Sequence, residues 1–285
     1  MPQKVWLRCK EALDRALDPA AVRVVFDVGA RDCNESADFA RAYPAATVYA
    51  FECNPATLPQ CRSVMAAEPR VVLTEKAASD KSGRLAFFPT NPLETQTGIA
   101  GGNPGASSLF EATGAYPEER YVQDRVEVDT IRLDAFCAAR GITDVDVLWM
   151  DVQGAELMVL RGLGDLLARV RFVHLEAEFF EIYRGQALFP AIDALLRGAG
   201  FELAGFTSYS QYAADALYCG PASGFAGMAL RDARAALPYL GRNLAKYRRH
   251  RLKRALRRIL GMAEWPEAAR AQVQRQGQPK NEKSG

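Results

Sequence analysis

The chain has 285 residues, a net charge of +2, 49% apolar residues and 25% charged ones. That composition excludes a chain disordered throughout, and the length allows one large α/β domain with appendages or two small domains. No apolar run is long enough to span a bilayer.

Taken in chain order, residues 1–17 interleave apolar side chains with Lys4, Arg8, Lys10, Glu11, Asp14 and Arg15. This predicts a short amphipathic helix within an N-terminal segment 1–20, since a signal peptide needs an unbroken apolar stretch. Val22–Val28 reads as a buried parallel strand that ends in a turn. A helix over Cys33–Tyr43 and a strand over Thr47–Phe51 follow. Asn54-Pro55 starts a further helix, with proline early, where its missing N–H costs nothing. Val71–Leu73, Arg84–Phe88 and Val126–Val128 read as strands. Between them, residues 88–122 are rich in Pro, Gly, Asn, Ser and Thr without a period, which predicts a functional loop or lid. Leu133–Arg140 is a helix stopped by Gly141, Val145–Met150 a very apolar strand, and Gly154–Leu160 a helix. The strand Val170–Glu176, the helix Leu188–Arg197 and the strands Phe201–Phe206 and Ala216–Cys219 complete a main domain at 21–222. Alternating strands and helices argue for a Rossmann-like, mostly parallel sheet with helices on both faces.

Ligands of open α/β sheets sit at the carboxyl ends of the strands. Here those ends carry Asp27-Val28-Gly29, Glu52, the segment Glu75–Asp80, Asp151 and the trio His174, Glu176 and Glu178. Gly29 permits a tight turn. Glu52, 23 residues further on, is placed to accept hydrogen bonds from both hydroxyls of a ribose. One glycine with Asp32 nearby suits a phosphate poorly, whereas an acid-lined pocket suits the sulfonium of S-adenosylmethionine. His174, Glu176 and Glu178 alternate and so share one strand face. Any of them, or Asp151, could take the proton of an attacking hydroxyl. Glu156 suits the first turn of its helix, near the dipole. A variant of the same chemistry has a divalent cation held by Asp151, Glu176 and Glu178, and this is the less favoured form.

The ordered pieces V-F-D-V-G-A (25–30), A-F-E-C-N-P (50–55), A-A-S-D-K-S-G (77–83), N-P-G-A-S-S-L-F (103–110), V-D-T-I-R-L-D (128–134), D-V-L-W-M-D-V-Q-G-A-E-L (146–157) and H-L-E-A-E-F-F-E-I-Y-R-G-Q (174–186) carry a family resemblance. Over residues 22–219 the chain resembles the FkbM family of methyltransferases. The resemblance implies a class I methyltransferase fold, with its last strand antiparallel, and S-adenosylmethionine-dependent O-methylation of a sugar, a glycan or a related natural product. It implies that Asp27, Gly29, Ala30 and Arg31 line the cofactor turn and that Glu52 and Cys53 hold the ribose. Ala78 and Ser79 would lie near the adenine, and Asp151 and Glu176 near the transferred methyl, with His174 in reserve. Ser107, Ser108, Tyr183 and Gln186 would meet the acceptor. The family often has Asn and a second Gly in the turn where this chain has Arg31 and Cys33. Those two residues favour a competing reading, a non-catalytic scaffold with a degenerate pocket. An NAD-type oxidoreductase fits the fold but lacks the glycine fingerprint.

Six scattered cysteines without a C-x-x-C pair predict reduced thiols and a cytoplasmic protein. Charge is unevenly spread. Residues 241–285 hold 13 Lys/Arg against 3 Asp/Glu, and the preceding 240 hold 23 against 31. Within a basic extension at 223–262, Leu240, Leu244, Leu252, Leu256, Ile259 and Leu260 recur near helical spacing among Lys and Arg. Two readings fit: a helix on an anionic membrane, which would suit a lipid-linked acceptor, and a helix packed on the acidic body. Nucleic acid is less favoured, because Tyr247 is the one aromatic interleaved among those cations. Residues 263–285 read as a disordered tail. The sequence alone leaves oligomeric state open.

Overall fold

The structure, a computed structural model, describes residues 2–223, 234–235 and 237–260. The predicted tail at 263–285 lies outside the described residues. The chain order is α1 (Pro2–Asp14), β1 (Val24–Val28), α2 (Asn34–Ala42), β2 (Thr47–Phe51), α3 (Leu58–Ala67), β3 (Val71–Thr74), β4 (Ala77–Ala78), β5 (Gly83–Phe87), β6 (Val126–Ile131), α4 (Leu133–Arg140), β7 (Val145–Met150), α5 (Glu156–Gly162), β8 (Val170–Glu178), α6 (Phe189–Gly198), β9 (Glu202–Tyr209), β10 (Ala213–Cys219) and α7 (Pro238–Ile259).

Seven strands form the main sheet in the order β3-β2-β1-β7-β8-β10-β9. All pairings are parallel except those of β10, which runs antiparallel to both β8 and β9. Strand order reverses at β1, so a ligand crevice is expected between the ends of β1, β2 and β7. The short strands β4, β6 and β5 form a separate three-stranded sheet, which strand periodicity alone does not distinguish from the main one. Val25 and Val147 belong to a buried cluster with α1 and α2, while Phe26, Leu148 and Val173 belong to a cluster with α4, α5 and α6. Alternation along the parallel strands thus feeds two cores, one on each face.

Several boundaries move. The third helix starts at Leu58, and the proline of its first turn is Pro59 rather than Pro55. Asn54 instead forms a local turn, its side-chain oxygen accepting the Ala56 N–H at 3.1 Å. Strand β10 begins three residues before the predicted Ala216 and pairs Asp215 with Glu176.

Strand β9 is an edge, and its backbone oxygens are capped by side chains. Arg234 donates to the carbonyls of Leu203 and Ala204, Asn243 to that of Phe206 at 2.9 Å, and Arg8 to that of Thr207 at 2.8 Å. Helix α7 crosses this edge so closely that a Cβ on Gly205 would lie 2.8 Å from the Cβ of Leu240.

Candidate active site

At the end of β1 the backbone turns through Gly29, at φ +81°, and a Cβ there would stand 1.9 Å from the carbonyl oxygen of Asp151. Glycine is therefore required where the ends of β1 and β7 meet. Arg31 and Cys33 adopt left-handed backbone at φ 50° and 58°. Both positions have backbone that glycine or asparagine adopts with less strain. The turn remains productive: the Arg31 N–H donates to Glu52 Oε2 at 2.7 Å. The N–H groups of Cys53 and Asn54 donate to Glu52 Oε1 at 2.8 and 2.6 Å. Burial raises the pKa of the Glu52 carboxyl, and these N–H donors oppose it.

Glu52 lies on a narrow crevice with Phe51, Ala78, Phe87 and Leu109. An apolar slot beside one anchored carboxylate fits adenosine: flat base against carbon, ribose hydroxyls donating to the acid. Cys53, Lys76, Ala77 and Ser107 complete the walls.

The crevice shares Gly29, Arg31, Gly105 and Asp151 with a second cavity of about 570 Å³. Asp27, Ala30, Glu35, Asp151, Glu176, Glu178 and Asp215 line it, with Arg31 as the one cation among the described lining residues. Tyr116, Glu118, Glu119 and Tyr121, from the 88–122 segment, form the facing wall. That segment is tied down by bridges from Phe88 to Ser108 and from Ala112 to Tyr183.

One amide organises the cavity floor. Gln153, left-handed at φ 52°, donates through Nε2 to Asp151 Oδ1 at 2.7 Å and to Glu176 Oε2 at 2.9 Å. Its Oε1 lies 2.8 Å from the Tyr183 hydroxyl, which also reaches the Ala106 carbonyl at 2.9 Å. Burial pushes the Glu176 carboxyl well above its usual range, reinforced by Asp151, Asp215 and Glu178. Burial also raises Asp151, countered by Gln153, by Arg31 and by a hydrogen bond with Glu176. Asp151 lies at the end of β7, accessible from the cavity onto which its carboxyl opens. The Gln153 amide thus holds the two acids side by side, a setting in which burial and mutual repulsion favour the protonated form of Glu176. Burial lifts Glu178 to about 8, Asp27 to about 8 and Asp215 to about 7.

Several expected contacts fall elsewhere. His174 is stacked on Trp149 at 4.2 Å and bonded through Nε2 to Thr207 Oγ1 at 2.8 Å. Burial lowers its pKa to about 3. It is a neutral core group, not a base facing the cavity. Tyr183 is wholly buried, and Gln186 spends its Oε1 on the N–H groups of Ile182 and Tyr183 and its Nε2 on Glu178. Both position the floor instead of meeting an acceptor. Ser108 donates to the Gln153 carbonyl at 2.7 Å, so it also acts on the floor. Ser107 accepts from Asn54 and the Thr90 N–H and lines the adenosine crevice, not the acceptor cavity. Ser79 is buried, its N–H bonded to the Ile131 carbonyl, so Ala78 alone of that pair lines the crevice. Glu156 folds back onto the Val152 N–H at 3.1 Å, and its Oε2 has no partner. Asp151, Glu176 and Glu178 line one cavity, but among the described residues no three His, Cys, Asp or Glu converge as metal ligands. Gln153 and Asp215 were not anticipated. Gln153 lies inside the D-V-Q-G motif, which was its one available signal.

The strand order with β10 reversed, the anchored Glu52 carboxyl on its crevice and the carboxyl floor fit a class I, S-adenosylmethionine-dependent methyltransferase. Residues 27–203 match the Methyltransferase FkbM domain, and the chain belongs to that family. It is 34% identical over 182 residues to the 2-O-methyltransferase NoeI of Sinorhizobium fredii (strain NBRC 101917 / NGR234), covering 63% of this chain and 72% of that protein. It is 30% identical over 200 residues to the 31-O-demethyl-FK506 methyltransferase FkbM of Streptomyces tacrolimicus, covering 63% and 73%. Among solved structures, the fibrillarin/Nop5p complex aligns at 12% identity with a TM-score of 0.43, covering 76% of this chain and 82% of that one.

Proposed function

We propose that the enzyme methylates a hydroxyl of a sugar, a glycan or a related polyhydroxylated natural product, with Asp151 as the proton acceptor. The observation that carries this reading is the Asp151–Glu176 pair, held by Gln153 where the adenosine crevice opens into the larger cavity. The bound cofactor supplies an electrophilic methyl on a sulfonium sulfur. Asp151 takes the hydroxyl proton as the O–CH₃ bond forms and the S–CH₃ bond breaks, and protonated Glu176 steadies the accepting carboxylate. Holding the acceptor oxygen in line supplies much of the remaining rate.

The cavity wall supports a sugar-like acceptor. Tyr116 and Tyr121 offer ring faces for the C–H face of a pyranose, and Glu118, Glu119 and Asp215 offer acceptors for its hydroxyls. The two relatives are named O-methyltransferases, which agrees with transfer to oxygen. Mass spectrometry of a panel of free oligosaccharides, lipid-linked glycans and macrolides, incubated with enzyme and S-adenosylmethionine, tests the reading. An added methyl on a hydroxyl, lost in Asp151→Asn, supports it. Transfer to nitrogen or carbon alone would refute it.

A further inference from the structure

Helix α7 has two apolar stripes, and among the described residues only one has a partner. Leu240, Asn243, Leu244 and Tyr247 are buried against β9 and its neighbours. Leu252, Leu256, Ile259 and Leu260 are 62%, 48%, 79% and 69% exposed. Their spacing, i, i+4, i+7 and i+8, puts them on one face. At about 100° per residue that face lies roughly 150° around the helix from the buried one. It is therefore not a core stripe that has lost its register.

Cations flank the exposed stripe on both sides: Arg249 and Lys253 on one, Arg248 and Arg251 on the other, by the same rotation. From Lys246 to Leu260 the helix holds no acidic residue. Among the described residues, Lys246, Arg248, Arg249, Arg251, Lys253 and Arg257 form no ion pair. Unpaired cations beside an apolar stripe match the headgroup and acyl boundary of an anionic bilayer. Nucleic acid would leave the leucines exposed, and the stripe offers no aromatic ring for a base.

The helix also has a direction. Its Asn243 bonds the carbonyl of Phe206, His250 meets the hydroxyl of Tyr209 at 2.8 Å, and Arg254 lies 5.6 Å over the ring of Phe179. Phe179 follows Glu178, which lines the acceptor cavity. The helix thus climbs β9 toward the catalytic rim, and its last turn continues for about 9 Å past Arg254.

We infer that the outer half of α7 is a peripheral docking surface for an anionic lipid bilayer, placed at the rim of the acceptor cavity. The proposal concerns docking and stands apart from the identity of the acceptor. The full-length protein is sedimented with vesicles of phosphatidylcholine, with or without phosphatidylglycerol. Wild type should bind the anionic vesicles, bind neutral ones far less, and release as salt rises. Arg248→Gln/Arg251→Gln/Lys253→Gln should weaken partitioning by about 100-fold, close to fivefold for each cation. Leu252→Ser/Leu256→Ser/Ile259→Ser should weaken it by about tenfold for each apolar side chain inserted. Both variants should bind S-adenosylhomocysteine as wild type does, which verifies the fold. Full binding by the serine variant overturns the proposal. So does wild type that ignores anionic vesicles but binds single-stranded RNA, and so does an absence of vesicle binding joined to a lower melting temperature in the serine variant, which would assign the stripe to an internal contact.

Discussion

Gln153 holds Glu176 at 2.9 Å while the same amide nitrogen holds Asp151 at 2.7 Å. Two acids that would repel as anions are thereby kept together by one donor. The amide is anchored in turn by Tyr183, whose hydroxyl lies 2.8 Å from its oxygen.

Loss of this amide should damage turnover more than cofactor binding. Gln153→Ala is expected to lower kcat by about 100-fold through misplacement of the base. Titration calorimetry with S-adenosylhomocysteine should give wild-type affinity, because the residue lies off the adenosine crevice. A variant with normal kcat would remove Gln153 from the machinery.

Glu52 anchors three backbone N–H groups and lines the crevice proposed for the cofactor. Glu52→Ala leaves the N–H groups of Arg31, Cys53 and Asn54 without their acceptor. It should weaken S-adenosylhomocysteine binding by about 100-fold or more, as expected for two lost hydrogen bonds to a charged group. A lower melting temperature should accompany it. Glu52→Gln should keep part of the stability and little of the affinity, which separates the two roles.

The acid cluster makes apo-protein stability fall with pH. Asp27 and Glu178, near 8, and Asp215, near 7, hold protons in the folded state that the unfolded chain releases near pH 4. The folded state therefore binds more protons across that window. The stability these three acids contribute is full below about pH 4 and is lost as pH rises toward 8. Differential scanning fluorimetry should show the melting temperature dropping by more than about 5 °C between pH 5 and pH 8. A flat profile would mean that these acids ionise freely in the fold.

His174 should prove structural. His174→Phe keeps a ring against Trp149 but strips Thr207 of its 2.8 Å partner. A cost of about 1–3 kcal/mol in unfolding free energy is expected. The pH dependence of kcat/KM should keep both limbs in place. Loss of one limb would return His174 to the reaction.

Much of the site was legible because strand ends announce themselves. Apolar runs closing in Asp27-Val28-Gly29, Glu52 and Asp151 place those residues on one rim of a parallel sheet, and the structure puts them there. Asp215 escaped for the converse reason. It lies near the start of an antiparallel strand, so a search of carboxyl ends passes over it. The role of Gln153 depends on a left-handed backbone that no periodicity signals. Tyr183 and Gln186 look like acceptor contacts in a polar sequence, but their hydrogen bonds are used up inside the protein. Residues 88–122 lack a long regular element. Their single bridges carry no repeating pattern from which a wall could be built.

The capped edge of β9 has a consequence for solubility. Arg8, Arg234 and Asn243 occupy carbonyls that would otherwise be free to pair with a strand from another molecule. Two of these three plugs arrive with the C-terminal part of the chain. Cutting the chain before residue 234 would leave a half-dressed β-edge, open to sheet extension and aggregation.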